Sequence, residues 1–339
     1  MRLSIDDIVD ATAKRTKRVV KLSDPSVVSH VTEFISTQCL PLDIVLGGGI
    51  PVGRLTEIYG DTSTGKTLLA QHILAEAQRM GGVAALLDSE TAIDERLATA
   101  LGINTEELIY SIPETVEEAY EDIMAIVEAR NKVAPDKLLT IVWDSVAATS
   151  ADTEIEKVGR EGLGAHTVAT HARLISKMCR VMKKTWARQR IALVLINQTR
   201  TKIGVQFGDD KATFGGRAIG YYASVRLEMA HRGKLRDRDK YRGIKVRAYV
   251  AKNKVAPPFG IVKLPIVFDG GIDEVEAMLW WLKDEKIVTT RGAWSYLQFG
   301  EEEVAFQSKS WPETWEEHQT EILKMLGIVI EEENADVSN

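Results

Sequence analysis

The stretch Gly60-Asp61-Thr62-Ser63-Thr64-Gly65-Lys66-Thr67 constrains this chain more than any other. It satisfies the spacing G-x-x-x-x-G-K-[ST], with a strand-like apolar run (Leu55 to Tyr59) before it and a helical pattern (Leu68 to Gln78) after it. Glycines at both ends let successive backbone N–H groups turn inward on an anion, while the following helix presents its positive end. Lys66 can reach the β- and γ-phosphates, and the Thr67 hydroxyl can ligate Mg²⁺. The expectation is a chain that binds a nucleoside triphosphate, ATP with Mg²⁺, along Gly60 to Leu68.

With 339 residues there is room for one large α/β domain with smaller attachments, since single cores stop growing at roughly 250 to 300 residues. No apolar run approaches the roughly 20 residues that span a bilayer, and the start Met-Arg-Leu-Ser-Ile-Asp-Asp lacks a signal-peptide layout, so a cytoplasmic protein without membrane contact is expected. Cys39 and Cys179 sit in apolar surroundings without metal-ligand spacing and read as buried thiols. A net charge of −6 argues against coating nucleic acid by bulk charge, but what a phosphate backbone meets is the potential of one face.

Along the chain, Ile5 to Ala13 has the pattern of a short amphipathic helix. A basic run follows, and Val19 to Leu22 then reads as a short strand that can pair with its own sheet or with another subunit's edge. Apolar strands at Val83 to Leu87, Leu108 to Ile112, Leu139 to Trp143 and Ile191 to Ile196 alternate with helical patterns, which predicts a mostly parallel sheet covered on both faces. Tyr222 to Met229, Lys245 to Ala251 and Ile261 to Phe268 follow without long helices between them, so the sheet should finish antiparallel. The division expected is an N-terminal segment (1–32), an ATPase core (33–269), a small C-terminal α+β domain (270–330) with helices at Val275 to Lys283 and Trp315 to Leu326, and a disordered acidic tail (331–339).

Strand Leu139 to Trp143 runs into Asp144, where a phosphate-loop protein places its magnesium-side acid. Thr67 and Asp144 are therefore the metal candidates. The strand ending Asp88-Ser89-Glu90 offers Glu90 as the base that deprotonates water, against an ordinary helix-start acid. After Asn197-Gln198, residues Thr199 to Gly216 show no helical or strand period and mix Arg200, Lys202 and Lys211 with Ile203, Phe207 and four glycines, including Gly215 and Gly216. Cations for phosphates with apolar wedges for bases suit single-stranded nucleic acid, and a lid over the nucleotide is the alternative. Gln198 stands between the two sites, with an amide able to touch a γ-phosphate and move the loop, or merely to cap the strand.

Between His171 and Arg190 there are seven Lys or Arg and no Asp or Glu, and Arg173, Lys177, Arg180, Lys184 and Arg188 share one helix face, which favours an anion-facing stripe. The stretch Gly159 to Gly164 before it reads as a flexible loop. Arg232 to Arg247 holds eight cations against Asp237 and Asp239, as an exposed hairpin turn also does. Lys252 and Lys254 close a strand, either as surface charge or reaching a neighbouring subunit's phosphates. Trp280, Trp281, Trp311 and Trp315 read as core of the C-terminal part.

In this order the motifs resemble the RecA family of recombinases, from about residue 31 to about residue 330: Ile35-Ser-Thr with Pro41-Leu-Asp-Ile, Gly49-Ile-Pro-Val-Gly-Arg54, the phosphate loop, Asp88-Ser-Glu90, Val142-Trp-Asp144-Ser, Ile196-Asn-Gln198 through Gly208, Gly215-Gly216, Lys252-Asn-Lys254 and Gly292-Ala-Trp294. The resemblance implies that Glu90 is the catalytic glutamate, that Gln198 couples the γ-phosphate to the DNA loop, and that Lys252 and Lys254 reach the adjacent subunit's ATP. It places Asp94 and Phe268 on the adenine side. It puts Arg173, Arg180, Arg200, Gly215, Gly216 and Arg217 at DNA, Ile203 between base triplets, and the stretch near Leu163 to Val168 in a first DNA loop. Arg18 to Leu22 resembles the strand each subunit adds to its neighbour, and residues 270–330 the domain that gates duplex DNA. Leu97, where bacterial members usually carry an adenine-stacking tyrosine, and Gly220, where they usually carry an interface lysine, suggest a divergent, phage-borne member of the UvsX kind.

The function expected is an ATP- and Mg²⁺-dependent recombinase that polymerises as a helical filament on single-stranded DNA and exchanges strands with homologous duplex, with recombination mediators and single-strand-binding proteins as further partners. Its rivals are a ring-shaped helicase on the same core and a nucleotide-switched regulatory ATPase.

Overall fold

The computed structural model describes residues 4–14, 16, 19–21, 23–24, 31–161, 170–201 and 211–328, with backbone alone at 7, 157–161, 184, 201, 211 and 212. Lys202, Ile203, Phe207, the stretch 163–168, Arg18, Leu22 and the acidic tail lie outside the described residues.

A single sheet carries the core. Strands Val225–Asp237, Leu55–Gly60, Ile191–Thr201, Leu139–Asp144, Val83–Asp88 and Leu108–Ser111 lie side by side in that order, all parallel. Beyond Val225–Asp237 the sheet continues antiparallel through Lys240–Asn253, Ile261–Val267 and Gly271–Ile272, as expected from the missing crossover helices. Because strand side chains alternate, odd positions (Leu139, Ile141, Trp143, Ile191, Leu193, Leu195) fill one buried cluster, while even ones (Val142, Ala192, Val194, Ile196) fill the other. Two apolar faces require cover on both sides, which the helices supply.

Helix Lys66–Arg79 packs on one face through Leu69, Ala70, Ile73, Leu74 and Ala77. On the other face, Val116–Val133 buries Val116, Ala119, Ile123 and Val127, a spacing of three and four that makes one stripe, and its start is fixed by a capping box between Thr115 and Glu118. Helix Thr170–Arg188 lies beside it and buries Ile175, Met178, Cys179, Met182 and Trp186. Both cysteines are free and fully buried, and burial pushes the Cys179 thiol up to about 12.

After Gly270 come helix Glu274–Asp284, an antiparallel sheet of Val288–Arg291, Trp294–Phe299 and Glu302–Gln307, and helix Trp311–Met325. Trp281 and Trp311 are buried and share the hydrophobic cluster of the main sheet's even face, and Trp311 Nε1 donates to the Val275 carbonyl at 2.6 Å. Among the described residues no helix is long and apolar enough to cross a membrane.

Four local expectations change. Tyr222 belongs to a short helix, Arg217–Tyr222, and the strand starts at Val225. Gly159 to Glu161 end helix Asp152–Glu161 instead of opening a loop. The basic run from Arg232 is no mere turn: it forms the outer halves of two long paired strands. Val19 to Lys21 carry no strand, for which the physical reason is direct: a strand exists only while something pairs with it.

Asp43 is buried in the short helix Leu40–Leu46, where its carboxylate accepts from Ser36 Oγ, Thr37 N and Thr37 Oγ1. Burial outweighs these bonds and raises its pKa to about 6. A carboxyl whose folded value is raised binds a proton more tightly than the unfolded chain, so its stabilising effect is complete below about pH 4 and is lost as pH rises to about 6. Asp43→Asn is therefore expected to flatten the melting-temperature profile between pH 4 and 6. Parallel profiles for the two proteins would contradict this.

Candidate nucleotide site and its link to the loop strand

The phosphate loop joins strand Leu55–Gly60 to helix Lys66–Arg79, at the carboxyl edge of the sheet where ligands of such folds bind. Gly60 and Gly65 are required there. A Cβ on Gly60 would stand 2.0 Å from the Met229 carbonyl oxygen, and Gly65 has φ +79° with Ile266 Cδ1 2.4 Å from where its Cβ would be. Lys66 Nζ donates to the Asp61 carbonyl within the loop at 2.7 Å. Burial lowers the Lys66 pKa, against the opposing fields of Asp144, Glu90 and Asp61.

Thr67 Oγ1 donates to Asp144 Oδ2 at 2.5 Å, so the two metal candidates meet. Burial, with the Glu90 and Asp88 carboxylates nearby, raises Asp144 to about 6 despite that bond and the Lys66 cation. A hydroxyl and a carboxylate suit a hard oxygen-seeking ion such as Mg²⁺, which normally keeps several waters and phosphate oxygens. Among the described residues no group of three or more His, Cys, Asp or Glu is arranged to hold a metal ion by itself, and a site of this kind needs none. The donor set fits the magnesium nucleotide.

Glu90 sits beside this pair. Its Oε1 accepts from Ser145 Oγ at 2.5 Å and from Gln198 Nε2 at 2.9 Å, so the strand-end glutamate and the amide meet directly. Asp88 shapes the turn that delivers Glu90: its carboxylate accepts from the backbone N–H of Glu90, Ala92 and Ile93 and from Tyr110 Oη. One residue beyond Gln198, the Thr199 hydroxyl donates to Asp61 Oδ1 on the phosphate loop. Thr199 also begins a ribbon in which Thr199, Arg200 and Thr201 pair with Thr213, Ala212 and Lys211. Arg200 stacks on Phe214 with its Cζ 3.4 Å from the ring centroid.

Other candidates lie apart. Asp94 caps helix Glu95–Ala100 and is exposed, and Phe268 is 54% exposed. Arg173, Lys177, Arg180 and Arg188 are exposed along one helix, and Arg217 is exposed beside Gly215 and Gly216, whose positive φ turns the ribbon into helix Arg217–Tyr222. Val181, next to Arg180 on the same helix, is exposed as well. Lys252 Nζ donates to the carbonyls of Gly220 and Tyr221 at 2.6 and 3.1 Å, and burial with Lys254 and Arg226 nearby lowers it to about 8.

The comparisons decide the family. The model of the RecA N-terminal domain family matches residues 4–273. The chain belongs to the RecA family. It is 41% identical to Protein RecA of Prochlorococcus marinus (strain MIT 9211) over 305 residues, covering 89% of this chain and 78% of that protein. To Protein RecA of Paracoccus denitrificans it is 39% identical over 287 residues, 84% of this chain and 77% of that one. The large, mostly parallel sheet with helices on both faces and the small antiparallel C-terminal sheet are a RecA-type α/β core.

Several residues of this RecA-type core escaped sequence reasoning. Ser145 holds Glu90, and Asp88 builds its turn. Glu57, fully buried in the phosphate-loop strand, pairs with Arg226 at 2.5 Å and accepts from Asn197 Nδ2 at 3.0 Å. A lone acid in the apolar run from Leu55 to Tyr59 was the available signal, because a buried charge demands a partner. Asn197 also donates to the Phe214 carbonyl at 2.9 Å, which anchors the ribbon's second strand.

Proposed function

We infer that this chain is an ATP- and Mg²⁺-dependent recombinase that assembles head to tail on single-stranded DNA, pairs it with homologous duplex and exchanges strands, with hydrolysis releasing the filament. The observation that carries this reading is the bond from Gln198 to Glu90: the hydrolytic carboxylate and the root of the DNA-loop ribbon share one hydrogen bond. A lid over the nucleotide needs no such link to a cation-bearing ribbon.

In the mechanism that follows, bound magnesium nucleotide supplies the charge neutralisation that phosphoryl transfer requires. Lys66 exchanges the Asp61 carbonyl for phosphate oxygens. Thr67 and Asp144 would hold the ion, the loop's N–H groups would hold the polyphosphate, and Asp94 and Phe268 would flank the base. Glu90, kept in place by Ser145, takes the proton of the attacking water. Gln198 leaves Glu90 as the γ-phosphate arrives and carries the ribbon with it. Arg173, Arg180, Arg200, Lys202, Gly215, Gly216 and Arg217 meet the strand's phosphates, with Ile203 and Phe207 at its bases.

Assembly is supported by where the cations sit. Lys254 bonds the Ser224 carbonyl, and Ser224 bonds that of Leu55, so Lys254 is level with Leu55, five residues before Gly60. At roughly 3.3 Å per residue that places it about 17 Å along the strand from its own phosphate loop, past the reach of a lysine. Lys252, level with Glu57 through Arg226, stands about 10 Å back, still past that reach, so the two lysines can serve a phosphate only if another subunit presents one at that end. A head-to-tail contact of this kind closes into a ring or grows as a helix. The edge strand Leu108–Ser111 adds a second surface, with Ile109, Tyr110 and Ile112 exposed and a strand edge able to accept the segment from Val19 of another subunit.

For duplex DNA, a groove of about 620 Å³ between the long hairpin and helix Glu274–Asp284 offers Arg232, Lys245, Arg247, Lys263 and Lys283 around Trp280, against one acid, Asp284. Lys252→Ala with Lys254→Ala is expected to reduce DNA-stimulated turnover at least about 100-fold, the scale of a lost charge clamp, while a monomer still binds nucleotide. Mixing this variant with Lys66→Ala should restore activity, because each supplies the half the other lacks. No complementation would contradict the shared site. Electron microscopy with ATP and single-stranded DNA tests the whole reading: helical filaments support it, and rings or isolated molecules together with DNA-independent turnover overturn it.

A further inference from the structure

Thr199 follows Gln198 in one strand, and successive strand residues point to opposite sides. Gln198 turns to the hydrolytic side, onto Glu90, and Thr199 turns to the phosphate side, onto the Asp61 carboxylate. Asp61 is the second residue of the phosphate loop. Its carbonyl accepts from Thr64 Oγ1 at 2.9 Å and from Lys66 Nζ at 2.7 Å. One residue thus holds the loop's lysine with its main chain and the root of the ribbon with its side chain. It also sets an exposed negative charge in a loop that closes on a polyanion.

We propose that Asp61 is a positioning residue that couples occupancy of the phosphate loop to the ribbon through Thr199. With the loop empty, the carboxylate pins the Thr199 hydroxyl and with it the first residue of the ribbon. Triphosphate binding acts on Asp61 twice: Lys66 gives up the Asp61 carbonyl to reach the phosphates, and the phosphate oxygens then face a like charge. The carboxylate swings off Thr199 and the ribbon root is freed. This rests on the proposed ATP-driven DNA binding and adds a route that bypasses Gln198.

The test uses the full chain and a fluorescent oligo-dT, titrated with and without a non-hydrolysable ATP analogue and Mg²⁺, and the analogue titrated with and without the oligonucleotide. Linkage requires the two enhancement factors to be equal. In Thr199→Val, DNA affinity without nucleotide should rise and both factors should fall about tenfold, the weight of one hydrogen bond to a charged group. Thr199→Ser, which keeps the hydroxyl, should retain the parent factors. Asp61→Asn keeps an acceptor for Thr199 but no charge to be repelled, so DNA affinity should stay low without nucleotide and rise less with it.

Parent-like factors in both Thr199→Val and Asp61→Asn would overturn the tether, as would a loss in Thr199→Ser equal to that in Thr199→Val. If Thr199→Val does not fold, the Ser and Asn variants decide the matter. A parent protein whose DNA binding ignores nucleotide would instead overturn the proposed function itself, and the tether with it.

Discussion

Lys66→Ala is expected to abolish ATP turnover, with a fall of at least about 100-fold and a matching loss of nucleotide affinity. The reason lies in the charges around it. Lys66 is 8% exposed, and Asp144, Glu90 and Asp61 act on it electrostatically, so the cation offsets three carboxylates at the place where a polyphosphate must bind. Removing it leaves an anion facing acids, with only loop N–H groups and the ion to hold it. The helix itself should survive, since alanine favours helix and the stripe from Leu69 to Ala77 is untouched. Steady-state phosphate release with and without oligo-dT measures the effect, and persistent turnover would refute the role given to this loop.

Glu90→Gln should separate assembly from hydrolysis. Glutamine presents an acceptor oxygen to Ser145 Oγ and Gln198 Nε2, so the local geometry is kept. It cannot take a proton at neutral pH. Losing a positioned general base costs about 10²- to 10⁴-fold, while binding of ATP and DNA should be retained and filaments should persist longer. Near-normal hydrolysis would remove Glu90 from its role. Failure to assemble would show that its charge, beyond its proton chemistry, holds the ribbon.

Much of the fold was legible because its signals are local. Strand Leu139–Asp144 and strand Ile191–Thr201 declare themselves by apolar runs too dense for a one-sided sheet, and the phosphate loop by a spacing that serves one purpose. The basic helix was equally open to reading, and Arg173, Lys177 and Arg180 are exposed along it. Less legible were the ends of elements. Tyr222 and Gly159 carry strand-like and loop-like composition, yet both fall in helices, because neighbouring packing settles a boundary that propensity leaves nearly balanced.

Sequence alone determined that a glycine-rich G-x-x-x-x-G-K-T motif sits between a strand and a helix in a parallel sheet, and which acids and amides end the adjoining strands. Those facts follow from bonded neighbours and periodicity. Tertiary structure decided which of these side chains touch. Glu90 reaches Ser145, 55 residues away, and Gln198, 108 residues away. Asp61 reaches Thr199, Glu57 finds Arg226, and Lys254 lands at the end of the sheet away from the loop. Strand order and register set these meetings, and no local pattern encodes which distant strand edge will lie beside another.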